Sequence, residues 1–219
     1  MHPASRRSGA IPSRYSPRVQ ASRFENDRFL VEQLLRPMVN LYTISTLGPD
    51  GKSAGERVAF VRQKRMALKE DLRFFADESE TEEVFRLKAR RVVELGGRYD
   101  VAHPSGERIG TLEKHFKQSL IRSTWSILNA SGDQIAWARE RSGAIAIVRR
   151  IKDVVPYGET IPIPYHFTFL RGEREIGELT RVLGIRDNYV LDLSADAERA
   201  LDRRLAIALS VGLDAFQAR

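Results

Sequence analysis

Short runs of alternating polar and apolar residues fill most of this chain, and one long apolar segment lies near its end. Between Leu201 and Phe216, only three charged residues at the beginning and Ser210 and Asp214 further on interrupt the apolar positions. A helix that is apolar on nearly every face must be buried on nearly every face. This one is too short to span a bilayer, which takes about 20 apolar residues. We therefore expect the rest of the chain to enclose it.

The preceding segments have the pattern of strands. Turn signals such as Gly48-Pro49-Asp50-Gly51 separate apolar runs, and turns about 8–12 residues apart are typical of an antiparallel all-β protein. Phe29–Leu35 fits either a strand or a short helix. The predicted strand runs are Val39–Thr46, Arg57–Gln63, Leu72–Ala76, Glu83–Lys88, Arg98–Ala102, Arg108–Glu113, Leu120–Leu128, Gln134–Arg139, Ala144–Arg150, Tyr165–Leu170, Glu175–Thr180 and Asn188–Leu193.

The number of strands and the apolar helix together predict one architecture. Side chains alone fill a barrel of about eight strands, whereas about 16 strands leave a channel, so roughly a dozen strands need a plug. The helix would be about 24 Å long, which matches a seven-residue strand of about 23 Å. We predict a mainly β protein, a closed antiparallel barrel of about twelve strands around a buried C-terminal α-helix. Asp196 or Ser194 is the expected N-cap, and Arg203 and Arg204 are expected near one mouth, within reach of water.

The positive charge is concentrated at the beginning of the chain. The net charge is +7, and residues 1–24 hold five arginines and no acid, which leaves +2 for the remainder. We predict a disordered basic tail over residues 1–22 and a single domain over residues 23–219. The tail is interpreted as a solvated segment, as an anchor for anionic lipid or nucleic acid, or as a transit peptide, although its prolines oppose an amphipathic helix. The nearly balanced body argues against a nucleic-acid-binding domain.

The sequence contains no recognisable catalytic or cofactor motif. The absence of cysteine excludes disulfides and thiolate ligands, and the four histidines lack metal-ligand spacing. No nucleophile elbow, phosphate loop or dinucleotide pattern is present. The acidic run at residues 77–83 is interpreted as a solvated turn, with calcium binding as the alternative. We predict no cofactor, no metal and no enzymatic activity, and we find no transmembrane or secretory segment.

One short cationic segment is the best candidate for a binding site. A group of cations around an exposed aromatic ring can hold a phosphate headgroup while the ring enters the acyl boundary of a membrane. The alternative is that the ring packs inward and the cations belong to an ordinary solvated loop. We expect Trp125 and Trp137 to pack in strands rather than to stack on a ligand. The candidate headgroup-binding residues are Lys114, His115, Phe116, Lys117 and Arg122.

Several segments together resemble the LURP-one-related proteins of the tubby-like superfamily, which are also similar to phospholipid scramblases. These segments are Phe60-Val61-Arg62-Gln63-Lys64 with Phe75-Ala76-Asp77, Gly110–Lys114 with Ser123-Thr124-Trp125, and Tyr189–Leu193 with Leu201–Leu213. The resemblance runs from about Phe29 to Gln217 and implies a twelve-stranded barrel around a C-terminal helix. It also implies lipid-related or scaffolding roles in some relatives.

Together, these observations lead us to expect a cytoplasmic protein that binds anionic phospholipid headgroups, peripheral on the inner face of the membrane. A protein-interaction scaffold or regulatory protein without lipid affinity is the alternative.

Overall fold

Twelve strands and one helix make up the described part of the chain. The computed structural model describes residues 22–36, 39–64, 71–90, 97–115, 123–141, 166–182 and 188–215. The elements are β1 (Arg28–Arg36), β2 (Val39–Leu47), β3 (Ala54–Lys64), β4 (Asp71–Phe75), β5 (Glu83–Ala89), β6 (Arg98–Ala102), β7 (Arg108–Lys114), β8 (Thr124–Asn129), β9 (Gln134–Glu140), β10 (His166–Arg171), β11 (Arg174–Val182), β12 (Asn188–Asp192) and α1 (Arg203–Ala215).

The twelve strands close into a barrel. Each strand pairs antiparallel with its neighbour in sequence, and β1 pairs with β12 to complete the ring, with Phe29 opposite Leu191. Closure gives each strand two partners, so no strand is left at the edge of a sheet. The predicted class, a mainly β protein with a closed antiparallel barrel around a C-terminal helix, is confirmed.

The set of observed strands differs from the set of predicted strands in two places. Phe29–Leu35 lies within strand β1, where Phe29 and Val31 join the core cluster that also contains the helix. The predicted strand Ala144–Arg150 lies outside the described residues.

Helix α1 fills the barrel. It has 13 residues, about 20 Å at 1.5 Å per residue, and 11 of them are buried. A Cβ at Gly110 would lie 2.9 Å from both terminal methyl groups of Leu205, so a glycine in β7 lets the helix approach the strand closely. No helix in the described residues is long and apolar enough to cross a membrane.

The beginning of the helix differs from the prediction. Neither Asp196 nor Ser194 is the N-cap; Asp202 is, because its Oδ1 accepts a hydrogen bond from the Arg204 amide at 2.9 Å. Asp196 instead accepts from the Leu201 amide at 3.0 Å, in the segment that leads into the helix. The predicted cap was therefore placed too early in the chain.

Arg203 is also not at a water-filled mouth. It is 3% exposed, and its guanidinium contacts Asp196 Oδ2 at 2.6 Å and Asp27 Oδ1 at 2.5 Å. A buried guanidinium needs such partners, since an unpaired one loses its hydration without compensation. Arg204 is partly exposed, as expected, and pairs with the carboxylate of Asp202 at 2.6 Å.

Candidate functional site

The two ends of the barrel have different surroundings, and we name them for the helix. The lower rim is the end where α1 begins, and odd-numbered strands start there. The upper rim is the end where α1 finishes, and odd-numbered strands end there. Lys114 is the last residue of β7, and His115 follows it, so the predicted headgroup-binding segment starts at the upper rim.

Lys114 lies on the inward row of β7. It is paired with Trp125 of β8 in the register that places Leu112 opposite Ile127, both of which are buried. Its Nζ lies 5.7 Å from the centre of the Trp125 ring. An ammonium at this distance is attracted to the face of the indole. Lys114 is partly exposed, so its charge lies at the inner margin of the rim.

His115 projects to the opposite, outer face of the sheet. Its Nε2 lies 2.7 Å from Ser126 Oγ, and its ring centre is 5.2 Å from that of Trp137. The Ser126 hydroxyl donates to Gln134 Oε1 at 3.0 Å. Since the hydroxyl has one proton, His115 donates to Ser126 in this arrangement. The contact positions the imidazole and does not activate a serine nucleophile, which would need the opposite polarity.

The two described residues of the predicted cluster, Lys114 and His115, are therefore separated. Strand β7 continues through Lys114, and alternation of side chains along a strand sends Lys114 and His115 to different faces. The remaining three predicted residues, Phe116, Lys117 and Arg122, lie outside the described residues. The structure therefore separates Lys114 from His115, and the grouping of all five residues stays a prediction.

The outer face of the upper rim carries cations that the sequence analysis did not single out. Arg139, at the end of β9, is exposed and makes no ion pair with any described residue. Arg141 Nη1 lies 3.2 Å from His166 Nε2 and 3.7 Å from Glu178 Oε2. The spacing of Trp137, Arg139 and Arg141 by two residues was a signal that all three share one face of a strand.

The lower rim is organised around a buried carboxylate. Asp196, whose side chain is fully buried, pairs with Arg203 at 2.6 Å and with Arg171 at 2.9 Å. Burial raises the pKa of Asp196, but the hydrogen bond from the Leu201 amide and the two arginines outweigh it, so the pKa lies below its ordinary value. This group of charges is neutralised within the protein and holds the beginning of α1 in place.

The acidic run forms the turn between β4 and β5. The Asp77 carboxylate accepts hydrogen bonds from the hydroxyl and amide of Ser79, which lower the pKa of Asp77. Glu78 pairs with Arg57 at 3.1 Å, and Glu80 pairs with Arg62. Within the described ranges, no three His, Asp or Glu side chains are grouped so that they could hold a metal ion.

An open groove of about 490 Å³ lies on the outside of the barrel, near the lower rim. The groove is lined by charged side chains of both signs, by polar side chains and by parts of the backbone. Strand β3 pairs with β4 only at Phe60 and Val61, so among the described residues the stretch Ala54–Arg57 has a strand neighbour on one side alone. The groove is lined by Arg23, Glu32, Thr43, Ser45, Ala54, Gly55, Glu56, Arg57, Ala76 and Asp77.

Comparison with known proteins identifies the family. No curated protein matches the chain. The model of the LURP-one-related family matches residues 57–214, which extend from β3 to the last turn of α1 and cover most of the barrel. The chain therefore belongs to the LURP-one-related family.

Proposed function

We propose that this protein acts by binding rather than by catalysis, and that it binds anionic phospholipid headgroups as a peripheral protein on the cytoplasmic face of a membrane. The observation that carries this proposal is the charge distribution. Residues 1–24 hold five arginines and no acid, while the rest of the chain is nearly balanced. Such a basic segment is attracted to the anionic lipids of a cytoplasmic leaflet by about 1 kcal/mol per residue near the surface.

The basic tail and the upper rim can contact the same membrane. Arg23, which directly follows the tail, donates to the carbonyl of Ala76 near the lower rim. Twenty-two residues of extended chain reach at most about 75 Å, whereas the longest strand, with 11 residues, spans about 36 Å. The tail is therefore long enough to reach a surface that lies against Lys114 and the upper rim.

A vesicle-sedimentation assay tests the proposal. The full chain and a chain lacking residues 1–22 are mixed at low salt with vesicles of phosphatidylcholine, with or without phosphatidylserine. We expect binding only to the anionic vesicles. Deletion of the tail removes four arginines and about 4 kcal/mol of attraction, and binding should fall steeply as salt rises. If the full chain ignores anionic vesicles at low salt, the lipid proposal is wrong.

The contribution of the predicted cluster can be tested in the tailless chain. We expect Lys114→Glu with Lys117→Glu to abolish the remaining binding to phosphatidylserine vesicles. Because the ammonium of Lys114 lies against Trp125 on the inward row, Lys117→Glu alone should have the larger effect of the two single changes. Equal binding by the double variant and the tailless parent would remove this cluster from the site.

A protein-interaction scaffold is the second candidate, and the open groove favours it. Extended peptides add to sheets where a strand has an unpaired side, and Ala54–Arg57 offers such a side next to the groove. Ala54→Trp places a large side chain at the groove. We expect it to abolish capture of a protein partner while leaving vesicle binding unchanged. Unchanged capture of the same partner by the variant would contradict this candidate.

A further inference from the structure

The outer face of strands β7 to β10 at the upper rim has the composition of a membrane-docking surface. We propose that this face, which we call the rim face, lies on the anionic bilayer with the indole of Trp137 at the headgroup level and Arg139 and Arg141 on the phosphates. This inference rests on the proposed lipid binding and specifies which surface performs it. The rim face comprises His115, Trp137, Arg139, Arg141 and His166.

Strand register brings these side chains onto one surface. Trp137 pairs with Ser126 on one side and with Leu170 on the other, while its neighbours Ala136 and Ala138 are buried in the core. Trp137 therefore faces away from helix α1, and it is partly exposed. An indole that is apolar in body and polar at its N–H is the side chain that collects at membrane–water interfaces.

The arginines surround this indole on the side of the upper rim. Arg139 lies two residues further along β9, and Arg141 directly follows the strand, with 59% of its side chain exposed. Arginine binds phosphate through its planar fork of donors. Arg139 has no carboxylate partner among the described residues, so its charge is available to a lipid phosphate.

The carboxylates on this face and on the neighbouring strand β11 already have partners. Glu178 contacts His166 at 2.8 Å and Arg141 at 3.7 Å, and Glu113 pairs with Arg98 at 2.9 Å. The arginines Arg98, Arg139 and Arg141 outnumber the carboxylates Glu113 and Glu178, which leaves a positive charge on and beside the rim face. An anionic bilayer complements this charge, and the mixed charges of the groove at the lower rim offer no comparable surface.

Fluorescence of the two tryptophans tests the orientation directly. Trp125 is buried inside the barrel and Trp137 lies outside, so Trp125→Phe and Trp137→Phe each leave one reporter in the full chain. On phosphatidylserine vesicles that contain brominated lipid, we expect strong quenching in Trp125→Phe, where Trp137 reports, and little in Trp137→Phe. Equal, weak quenching of both bound variants would overturn the proposed face.

Charge variants provide an independent test. Arg139→Gln with Arg141→Gln should weaken binding to phosphatidylserine vesicles about 30-fold at low salt, since each basic residue near the surface contributes about fivefold. The matched control is Lys52→Gln with Arg174→Gln, which removes the same charge from the lower rim. We expect it to bind like the parent, and circular dichroism checks that both chains fold.

The outcomes separate this inference from the proposed function. If the full chain fails to bind anionic vesicles, the proposed function fails. A second outcome is that the full chain binds, but the two charge variants bind equally and Trp137 is not quenched. In that case lipid binding stands and the rim face is not the docking surface. Loss of binding in the rim variant alone, together with quenching of Trp137, supports the rim face.

Discussion

The two rims of the barrel hold the same helix by different means. At the lower rim, the buried guanidinium of Arg203 lies between Asp196 and Asp27, and Arg171 also pairs with Asp196. These charges are satisfied by one another. Because removing one member of a buried ion pair leaves its partner uncompensated, this rim is expected to respond strongly to single changes.

At the upper rim, neutral donors hold the last turn of the helix. The Asp214 carboxylate accepts one hydrogen bond from the hydroxyl of Tyr42 and one from that of Tyr189, each at 2.8 Å. A carboxylate near a helix C-terminus is disfavoured by the helix dipole, and the tyrosines offset this. The difference shows a division of roles. The lower rim uses its arginines to fix the helix, whereas Arg139 and Arg141 lie on the outer face of the upper rim, where we propose that they contact an anionic bilayer.

The largest expected effect is at Arg203. Arg203→Met keeps much of the side-chain volume but leaves the buried carboxylate of Asp196 without its closest cation. We expect the free energy of unfolding in urea to fall by about 3–5 kcal/mol. The control is Arg174→Met at the same rim, where the side chain is 62% exposed and the change should be within about 0.5 kcal/mol. A loss below about 1 kcal/mol for Arg203→Met would mean that the lower rim is not a charge-dependent anchor.

A smaller loss is expected at the upper rim. Asp214→Asn retains one acceptor oxygen, but its amide group cannot accept from the second tyrosine hydroxyl. Loss of one hydrogen bond should lower the free energy of unfolding by about 1 kcal/mol. Tyr189→Phe, which removes one donor and leaves Asp214 charged, is the matched variant and should cost a similar amount. If Asp214→Asn destabilised the protein as much as Arg203→Met, the contrast between the rims would disappear.

The sequence predicts the barrel well because its architecture follows from local patterns. Apolarity on all faces of the last helix requires an enclosing sheet, and this needs no knowledge of distant contacts. The burial of Arg203 could not be predicted in the same way, because its partner Asp27 is 176 residues away in the chain. The separation of Lys114 from His115 was missed for a different reason. Treating Lys114 and His115 as a loop ignored the continuation of β7, and strand alternation separates them. The two-residue spacing of Trp137, Arg139 and Arg141 is visible in the sequence. The closeness of Trp137 to His115 is not, because it depends on the pairing of β7, β8 and β9.

The smallest expected effect is a pH dependence that originates at the lower rim. His103, in the turn after β6, accepts a hydrogen bond through Nε2 from Arg204 Nη1 at 3.1 Å. Burial and the charge of Arg204 lower the pKa of His103, while Glu107 and Asp202 oppose the shift. The folded protein therefore binds a proton at His103 less readily than the unfolded chain does. The stabilising contribution of neutral His103 is complete above the ordinary histidine pKa of about 6.5. It decreases as the pH falls below that value toward the pKa of His103 in the folded protein.

His103→Gln tests this dependence. Glutamine can accept from Arg204 through its amide oxygen but does not titrate. Both chains are unfolded with urea at several pH values between 8 and 5. Above pH 7, the free energy of unfolding should change with pH equally in both chains, and this range serves as the internal control. Below pH 6.5 the parent should lose stability more steeply than the variant. Parallel curves over the whole range would show that the Arg204–His103 contact does not contribute to the pH response of the lower rim.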